Sequence, residues 1–206
     1  MNIKTAEFIV FDVETTGLSP RDGDRIIEIA AIKIKGAQVV DKFYSLVNPK
    51  RVLSAEATRI NQITEEMIAD APTADQVLPG MINFIAGGCI VGHNVRFDLG
   101  FLCYELSLLG RRLKEETPAI DTLKMAKELL PYLSSYKLGY LARSLGVVVG
   151  GSHRAMVDVE LTAQVMLRLM EMAEEQKLTA IDKFLTQFTV EKPTYKFVQS
   201  AQSSLF

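Results

Sequence analysis

Apolar residues run along this chain in two rhythms. The stretch Glu7-Phe8-Ile9-Val10-Phe11-Asp12-Val13-Glu14 is short, rich in aromatic and β-branched residues, and ended by Thr15-Thr16-Gly17; it predicts a strand. Ile26, Ile27, Ile29, Ile32 and Ile34 mark a second strand over 25–35, and Gly36-Ala37 can turn the chain into a third over 39–47, closed by Asn48-Pro49. Three strands joined by such short turns predict an antiparallel meander. Beyond Pro49 the spacing becomes helical. Thr64-Glu65-Glu66-Met67 offers an N-cap threonine and early acids. Thr73-Ala74-Asp75-Gln76 has capping-box spacing for a helix carrying Val77, Leu78, Met81, Ile82 and Ile85, which Pro79 should bend or shift. Cys89-Ile90-Val91-Gly92 and Ala119-Ile120-Asp121 predict brief strands. Helices are predicted over 97–109, 123–130, 137–145 and 154–176, the last with Val157, Leu161, Val165 and Leu169 on one face. Its methionines, Met156, Met166, Met170 and Met172, read as core filler.

Strands followed by alternating strands and helices predict an α/β fold with a mixed sheet, an antiparallel meander first and crossover strands after it. The layout divides into a main domain over 1–176 and an appendage over 177–206, comprising a short amphipathic helix near Ile181-Asp182-Lys183-Phe184-Leu185 and a polar tail. Hydrophobic content of 48% suffices for a full core at this length. No window approaches the ~18 continuous apolar residues of a membrane span, and the first strand begins too early to leave room for a signal peptide. Cys89 and Cys103 lack metal or redox spacing and read as buried thiols of a cytoplasmic protein. Charge is nearly balanced, 23 basic against 25 acidic residues. That argues against coating long duplexes by bulk electrostatics. It is compatible with holding a few nucleotides at a strand end, where bound metal ions supply positive charge.

The polar positions that interrupt these patterns carry the chemistry. Asp12 and Glu14 are two apart on an apolar strand, so both point to one face, with no lysine or arginine in that strand to neutralise them. A hard divalent ion with oxygen ligands would do so; alternatively one acid caps the next element and the other is solvated. Asp98 opens a helix, where the dipole already favours a carboxylate. Asn94 could donate to a ligand carboxylate or a phosphate, and Phe97 could be core or stack on a terminal base. The two histidines of the chain each precede an aspartate, in His93-Asn94-Val95-Arg96-Phe97-Asp98 and His153-Arg154-Ala155-Met156-Val157-Asp158. His153 follows Gly150-Gly151-Ser152, and Asp158 lies five positions further on, so the imidazole can approach that carboxylate.

Taken in order, Asp-x-Glu-Thr-Thr-Gly, His-Asn-x-x-Phe-Asp and His-Arg-Ala-x-x-Asp resemble the three motifs of the DnaQ-like exonucleases, in the branch named DEDDh for four acids and a histidine and of the polymerase-proofreading type. The sister branch has a tyrosine where this chain has Arg154. The resemblance spans about Phe8 to Met172. It implies a ribonuclease-H-like sheet, two divalent cations, Mg²⁺ or Mn²⁺, and 3′→5′ release of nucleoside 5′-monophosphates. It matches Asp12, Glu14, Asp98 and Asp158 to the metal ligands and His153 to the general base that accepts the attacking water's proton. It matches the turn Thr15-Thr16-Gly17-Leu18 to the part that holds the terminal nucleotide. Asp121-Thr122 matches a companion segment of open role. Where many relatives carry a histidine before the Ile63-Thr64 equivalent, this chain has Asn61-Gln62.

The expected substrate is a single-stranded or frayed DNA 3′ end, in proofreading or repair. A ribonuclease of the same fold trimming RNA ends shares these residues, since discrimination rests on 2′-hydroxyl contacts. A non-catalytic scaffold would have no need of all five groups. The terminal Gln202-Ser203-Ser204-Leu205-Phe206 resembles the Gln-x-x-Leu-Phe peptides that dock bacterial replication proteins on the sliding clamp, with Gln202 fixing register and Leu205 and Phe206 as apolar anchors. The bland alternative is a terminus without a partner. Expected partners are therefore DNA ends and a sliding clamp or DNA polymerase, with no membrane.

Overall fold

A computed structural model describes residues 3–148, 150 and 154–196. The meander forms as the apolar runs require: β1 (Glu7–Thr15), β2 (Ile26–Lys35) and β3 (Gln38–Leu46) pair antiparallel in sequence order. β4 (Cys89–Gly92) and β5 (Ala119–Asp121) then add in parallel on the other side of β1, giving a five-stranded sheet of order β3-β2-β1-β4-β5. β1 is thus the central strand, apolar on both faces. Eight α-helices occur among the described residues. α1 (Ala55–Asn61), α2 (Glu65–Ile68) and α3 (Ala74–Ile85) fill the connection from β3 to β4. α4 (Arg96–Leu108) is the crossover to β5, followed by α5 (Thr122–Leu129), α6 (Leu138–Ser144), α7 (Ala155–Glu175) and α8 (Ile181–Phe188).

Strand alternation sorts the core into two layers. Phe8, Val10, Ala30, Ile32 and Ile34 face α7, α5, α6 and α8, where Leu141, Leu161, Val165, Met166 and Phe184 are buried. Ile9, Phe11, Val13, Ile29 and Ala31 face α3 and α4, packing on Leu78, Met81, Leu99 and Leu102. Asp12 and Glu14 continue the α7-facing row of β1 beyond Phe8 and Val10, so the acids sit where that layer opens.

α1 was not expected. Its signal is local: Ser54 caps it, accepting from Ala57 N at 3.1 Å, but its seven residues include only Ala57 and Asn61 as buried positions, too few to show a periodicity. α3 passes through Pro79 without a break in its span. The short helix α8 was expected near Ile181, and Phe184 and Phe188 bury themselves in the α7 layer. After it the chain folds back along β5. Val190 N donates to Ala119 O at 2.7 Å, and Lys192 Nζ reaches the carbonyls of Lys114, Glu115 and Thr117. Tyr195 then meets Tyr104 edge-on and lies under Arg21. Cys89 is buried and Cys103 half-buried, both as free thiols, and burial pushes them up to about 12 and about 11. Among the described residues no helix is long and apolar enough to cross a membrane.

Candidate active site

The site lies at the carboxyl ends of the parallel strands, where α/β sheets open a crevice. β4 pairs with β1 only as far as Val10↔Val91 and ends at Gly92, whereas β1 runs on to Thr15. The backbone of β1 beyond Val10 therefore lacks a strand on that side. Asp98, in the first turn of α4, supplies a partner: its Oδ1 accepts from Val13 N at 3.1 Å. This explains why a carboxylate that is only 3% exposed can stand at the start of an apolar helix.

Asp12, Glu14 and Asp158 converge, each offering an oxygen within 4.8 Å of the others. Asp12 and Glu14 come from one face of β1, and Asp158 from the first turn of α7, which packs across β1 and β2. Asp98 stands outside that triplet but beside it, close enough for its charge to act on Asp12. Burial, then the charges of Asp98, Glu14 and Asp158, hold the Asp12 carboxyl well above the usual carboxylate range. Burial and Asp158 push Glu14 up to about 7, with Arg154 opposing. Burial pushes Asp98 up to about 8 against the pull of its bond from Val13. Several acids that resist ionising in one crevice are a cation site by their chemistry: a hard divalent ion takes oxygen ligands of this kind and removes the mutual repulsion. The donor set thus fits such a group, with Asp12, Glu14 and Asp158 as the residues placed to hold it.

The turn after β1 is built from inside. Thr15 Oγ1 donates to Gly17 O at 2.6 Å, and Thr16 Oγ1 donates to Asp24 Oδ1 at 3.1 Å while accepting from Arg25 N at 3.0 Å. Asp24 Oδ2 also accepts from Ser19 N at 3.1 Å. A Cβ on Gly17 would lie 2.3 Å from that carboxylate, so close approach, not backbone twist, requires glycine there. Thr15 and Thr16 are consequently buried supports, and Leu18 is what the turn presents, 85% exposed. Asn61 is buried and its amide donates to Thr15 O at 3.2 Å, so the departure at Asn61-Gln62 gives a brace for this same turn. Glu105, 1% exposed, grips Arg25 through Nε and Nη2, both at 2.7 Å, and closes the loop from the far side.

The first histidine motif divides its labour. Asn94 is exposed with φ +61°, and its backbone N donates to Asp121 Oδ1 at 2.9 Å. Asp121 also caps α5, accepting from Leu123 N at 2.9 Å, so the companion segment of open role is the clasp that holds the His93-Asn94 turn. His93 Nδ1 lies 2.9 Å from Thr122 Oγ1 and Nε2 lies 2.8 Å from Tyr136 O. Burial lowers its pKa. Phe97 is half-buried, its ring 5.1 Å from that of Phe101, and packs on the core layer under α4. His153 lies outside the described residues.

One participant was missed. Glu28 faces Glu14 across the β1–β2 ladder and is completely buried. Its signal was present: it is the single charge in Ile26-Ile27-Glu28-Ile29-Ala30-Ala31-Ile32, and a buried acid needs a partner. The partner is Arg154, the residue that stands at the tyrosine branch's signature position.

Residues 9–166 match the exonuclease family RNase_T. Among curated proteins, the chain is 37% identical over 191 residues to DNA polymerase III PolC-type of Clostridium perfringens (strain 13 / Type A), covering 90% of this chain and 13% of that protein. It is 41% identical over 179 residues to DNA polymerase III PolC-type of Thermotoga maritima (strain ATCC 43589 / DSM 3109 / JCM 10099 / NBRC 100826 / MSB8), covering 86% and 13%. The chain therefore spans only a small part of the length of these relatives. Among solved structures, Exonuclease X in complex with 5′ overhanging duplex DNA is 29% identical with a TM-score of 0.65, covering 81% of this chain and 93% of that one. E. coli Exonuclease I in complex with a dA16 oligonucleotide shares the fold at 22% identity and a TM-score of 0.73, covering 84% and 42%. The mixed five-stranded sheet flanked by helices is the ribonuclease-H-like arrangement expected from the motifs. The chain belongs to the RNase_T exonuclease family.

Proposed function

We propose that the chain is a metal-dependent 3′→5′ exonuclease that releases nucleoside 5′-monophosphates from DNA 3′ ends, in proofreading or repair. The convergence of Asp12, Glu14 and Asp158 within 4.8 Å, with Asp98 beside them, carries this reading. Two divalent cations, Mg²⁺ or Mn²⁺, match four carboxylates in formal charge, and such ions polarise a scissile phosphate and make a water nucleophilic at neutral pH. The protein's own residues do the rest. Leu18 offers an apolar surface to the terminal base from a turn that Asp24, Arg25 and Asn61 hold rigid. The half-buried Phe97, one residue before Asp98, is a second candidate apolar surface, and the exposed Asn94 is free to approach a phosphate. His153 accepts the water's proton, a task for a group with a pKa near ~6.5.

The test uses end-labelled DNA and RNA of matched sequence with Mg²⁺, Mn²⁺ or chelator, resolved to single nucleotides. DNA should shorten from its 3′ end, faster when that end is mismatched, because the last bases must unpair to enter the site. Equal cutting of circular single strands would sink the exonuclease reading. Faster decay of RNA would transfer it to a ribonuclease, and inertness in every metal to a scaffold.

The relatives named DNA polymerase III PolC-type support a place beside a replicative polymerase. Gln202, Leu205 and Phe206 lie outside the described residues; their pattern supports a weak contact with a bacterial sliding clamp that raises local concentration at primer ends. Leu205→Ala/Phe206→Ala should leave cleavage of short oligonucleotides unchanged and slow cleavage of clamp-loaded primed DNA. Equal clamp binding by the variant and the full chain in a titration would remove the tail from this role.

A further inference from the structure

We propose that Glu28, acting through Arg154 and the backbone of Ala155, is the positioning residue that sets the first turn of α7 and so holds Asp158 against Asp12 and Glu14. The inference rests on the exonuclease reading only for its kinetic consequence. Glu28 lies on the same sheet face as the two β1 acids, directly across from Glu14, yet both its oxygens are engaged. Oε1 accepts from Tyr44 OH at 2.8 Å, from Arg154 Nη2 at 2.7 Å and from Arg154 Nε at 3.0 Å. Oε2 accepts from Ala155 N at 2.9 Å and from Arg154 Nε at 3.3 Å. A carboxylate so saturated supports its neighbours and is poorly placed to be a ligand.

A purely structural role would be served more cheaply by another isoleucine. Burying an acid beside three more adds repulsion, and Glu28 contributes to the raised pKa of both Asp12 and Glu14. What an isoleucine cannot do is hold a helix end by direction. Arg154, the N-cap of α7, makes no side-chain bond to the helix end, and leading N–H groups need an acceptor. Glu28 provides one from β2, at the terminus where the dipole favours an anion. The bidentate guanidinium then fixes azimuth as well as height. Asp158 follows three residues after Ala155, and each residue of slip would swing it about 100° around the helix. The same pinned residue, Arg154, immediately follows His153 in sequence.

Arg154→Ala tests this, because its side chain is 37% exposed and its loss leaves Glu28 with Tyr44 and Ala155 N as donors. Groups that orient metal ligands typically change affinity or activity about 10–100-fold. The variant should therefore lose about 10–100-fold in kcat with KM nearly unchanged and bind Mn²⁺ about tenfold more weakly by titration calorimetry, while staying fully folded under assay conditions although its urea midpoint falls because the buried Glu28 loses its guanidinium. Glu28→Gln should shift the same readouts in the same direction, and Arg154→Lys, with charge but no fork, should recover part of the loss. Wild-type kcat and Mn²⁺ affinity in Arg154→Ala, or losses that merely follow a fall in folded fraction, would overturn the proposal. If the wild-type protein binds Mn²⁺ but cuts no DNA, the exonuclease reading fails and the Mn²⁺ affinities alone decide the anchor.

Discussion

Asp12→Asn should lower 3′-end cleavage by about 10³-fold or more, since metal stabilisation of the transition state amounts to several kcal/mol and each ~1.4 kcal/mol is tenfold. Asp158→Asn should do the same from the opposite wall of the crevice. Neither change should unfold the protein; without metal, Asp12→Asn should stabilise it. The sign follows from the raised pKa values. Asp12 stands well above its ordinary value, Glu14 at about 7 and Asp98 at about 8, chiefly through burial. Each group binds protons more tightly in the folded state than in the unfolded one. Its contribution is therefore fully present below an unfolded carboxylate pKa of ~4 and is lost as pH rises through the folded value. In chelator, the thermal midpoint of the wild type should fall between pH 5 and pH 8, on the order of the interval between those pKa values, and Mn²⁺ at pH 8 should restore it. Asp12→Asn should show a shallower fall and little response to Mn²⁺. A pH-independent midpoint in chelator, or a variant that cleaves at the wild-type rate, would contradict a site built around cations. This is the expected trade between stability and function, with repulsion retained because a ligand relieves it.

Much of this arrangement was legible in the sequence because its signals are local. The meander follows from three apolar runs with short turns, and the capping threonines marked α2 and α3 within a residue. Asp12 and Glu14 declared themselves as acids on an otherwise apolar strand. The roles that escaped are those defined by distant pairs. Glu28 with Arg154, Glu105 with Arg25, and Asp121 with the Asn94 backbone are separated by 126, 80 and 27 residues, and no spacing rule connects such positions. Asp98 reads as a helix-dipole acid until the early end of β4 leaves Val13 N in need of an acceptor. Thr15 and Thr16 looked like substrate contacts, yet their hydroxyls are turned inward, and the exposed member of that turn is Leu18. Isolated charges inside apolar runs, such as Glu28 and Glu105, are the one sequence feature that could have pointed to the buried pairs.

His153→Ala should lower kcat by about 10²–10⁴-fold with little loss of DNA binding, the range for removing a positioned general base. The other imidazole of the chain makes this sharper. His93 is fastened at both ring nitrogens, to Thr122 Oγ1 and to Tyr136 O, and the carbonyl can only accept, so Nε2 carries a proton. Burial further disfavours its charged form. Buried and engaged at both ring nitrogens, His93 braces the turn, and His93→Gln should act on stability with a rate-versus-pH profile of unchanged shape. Activity of the wild type should rise with pH through an imidazole titration near ~6.5, and that limb should vanish in His153→Ala. Measuring kcat from pH 5.5 to 9 at saturating Mn²⁺ separates the two histidines. A His153→Ala enzyme with wild-type rate and an intact acidic limb would remove His153 from the chemistry, and a limb that disappears in His93→Gln would move the proton-accepting role into the clasp at Asp121-Thr122.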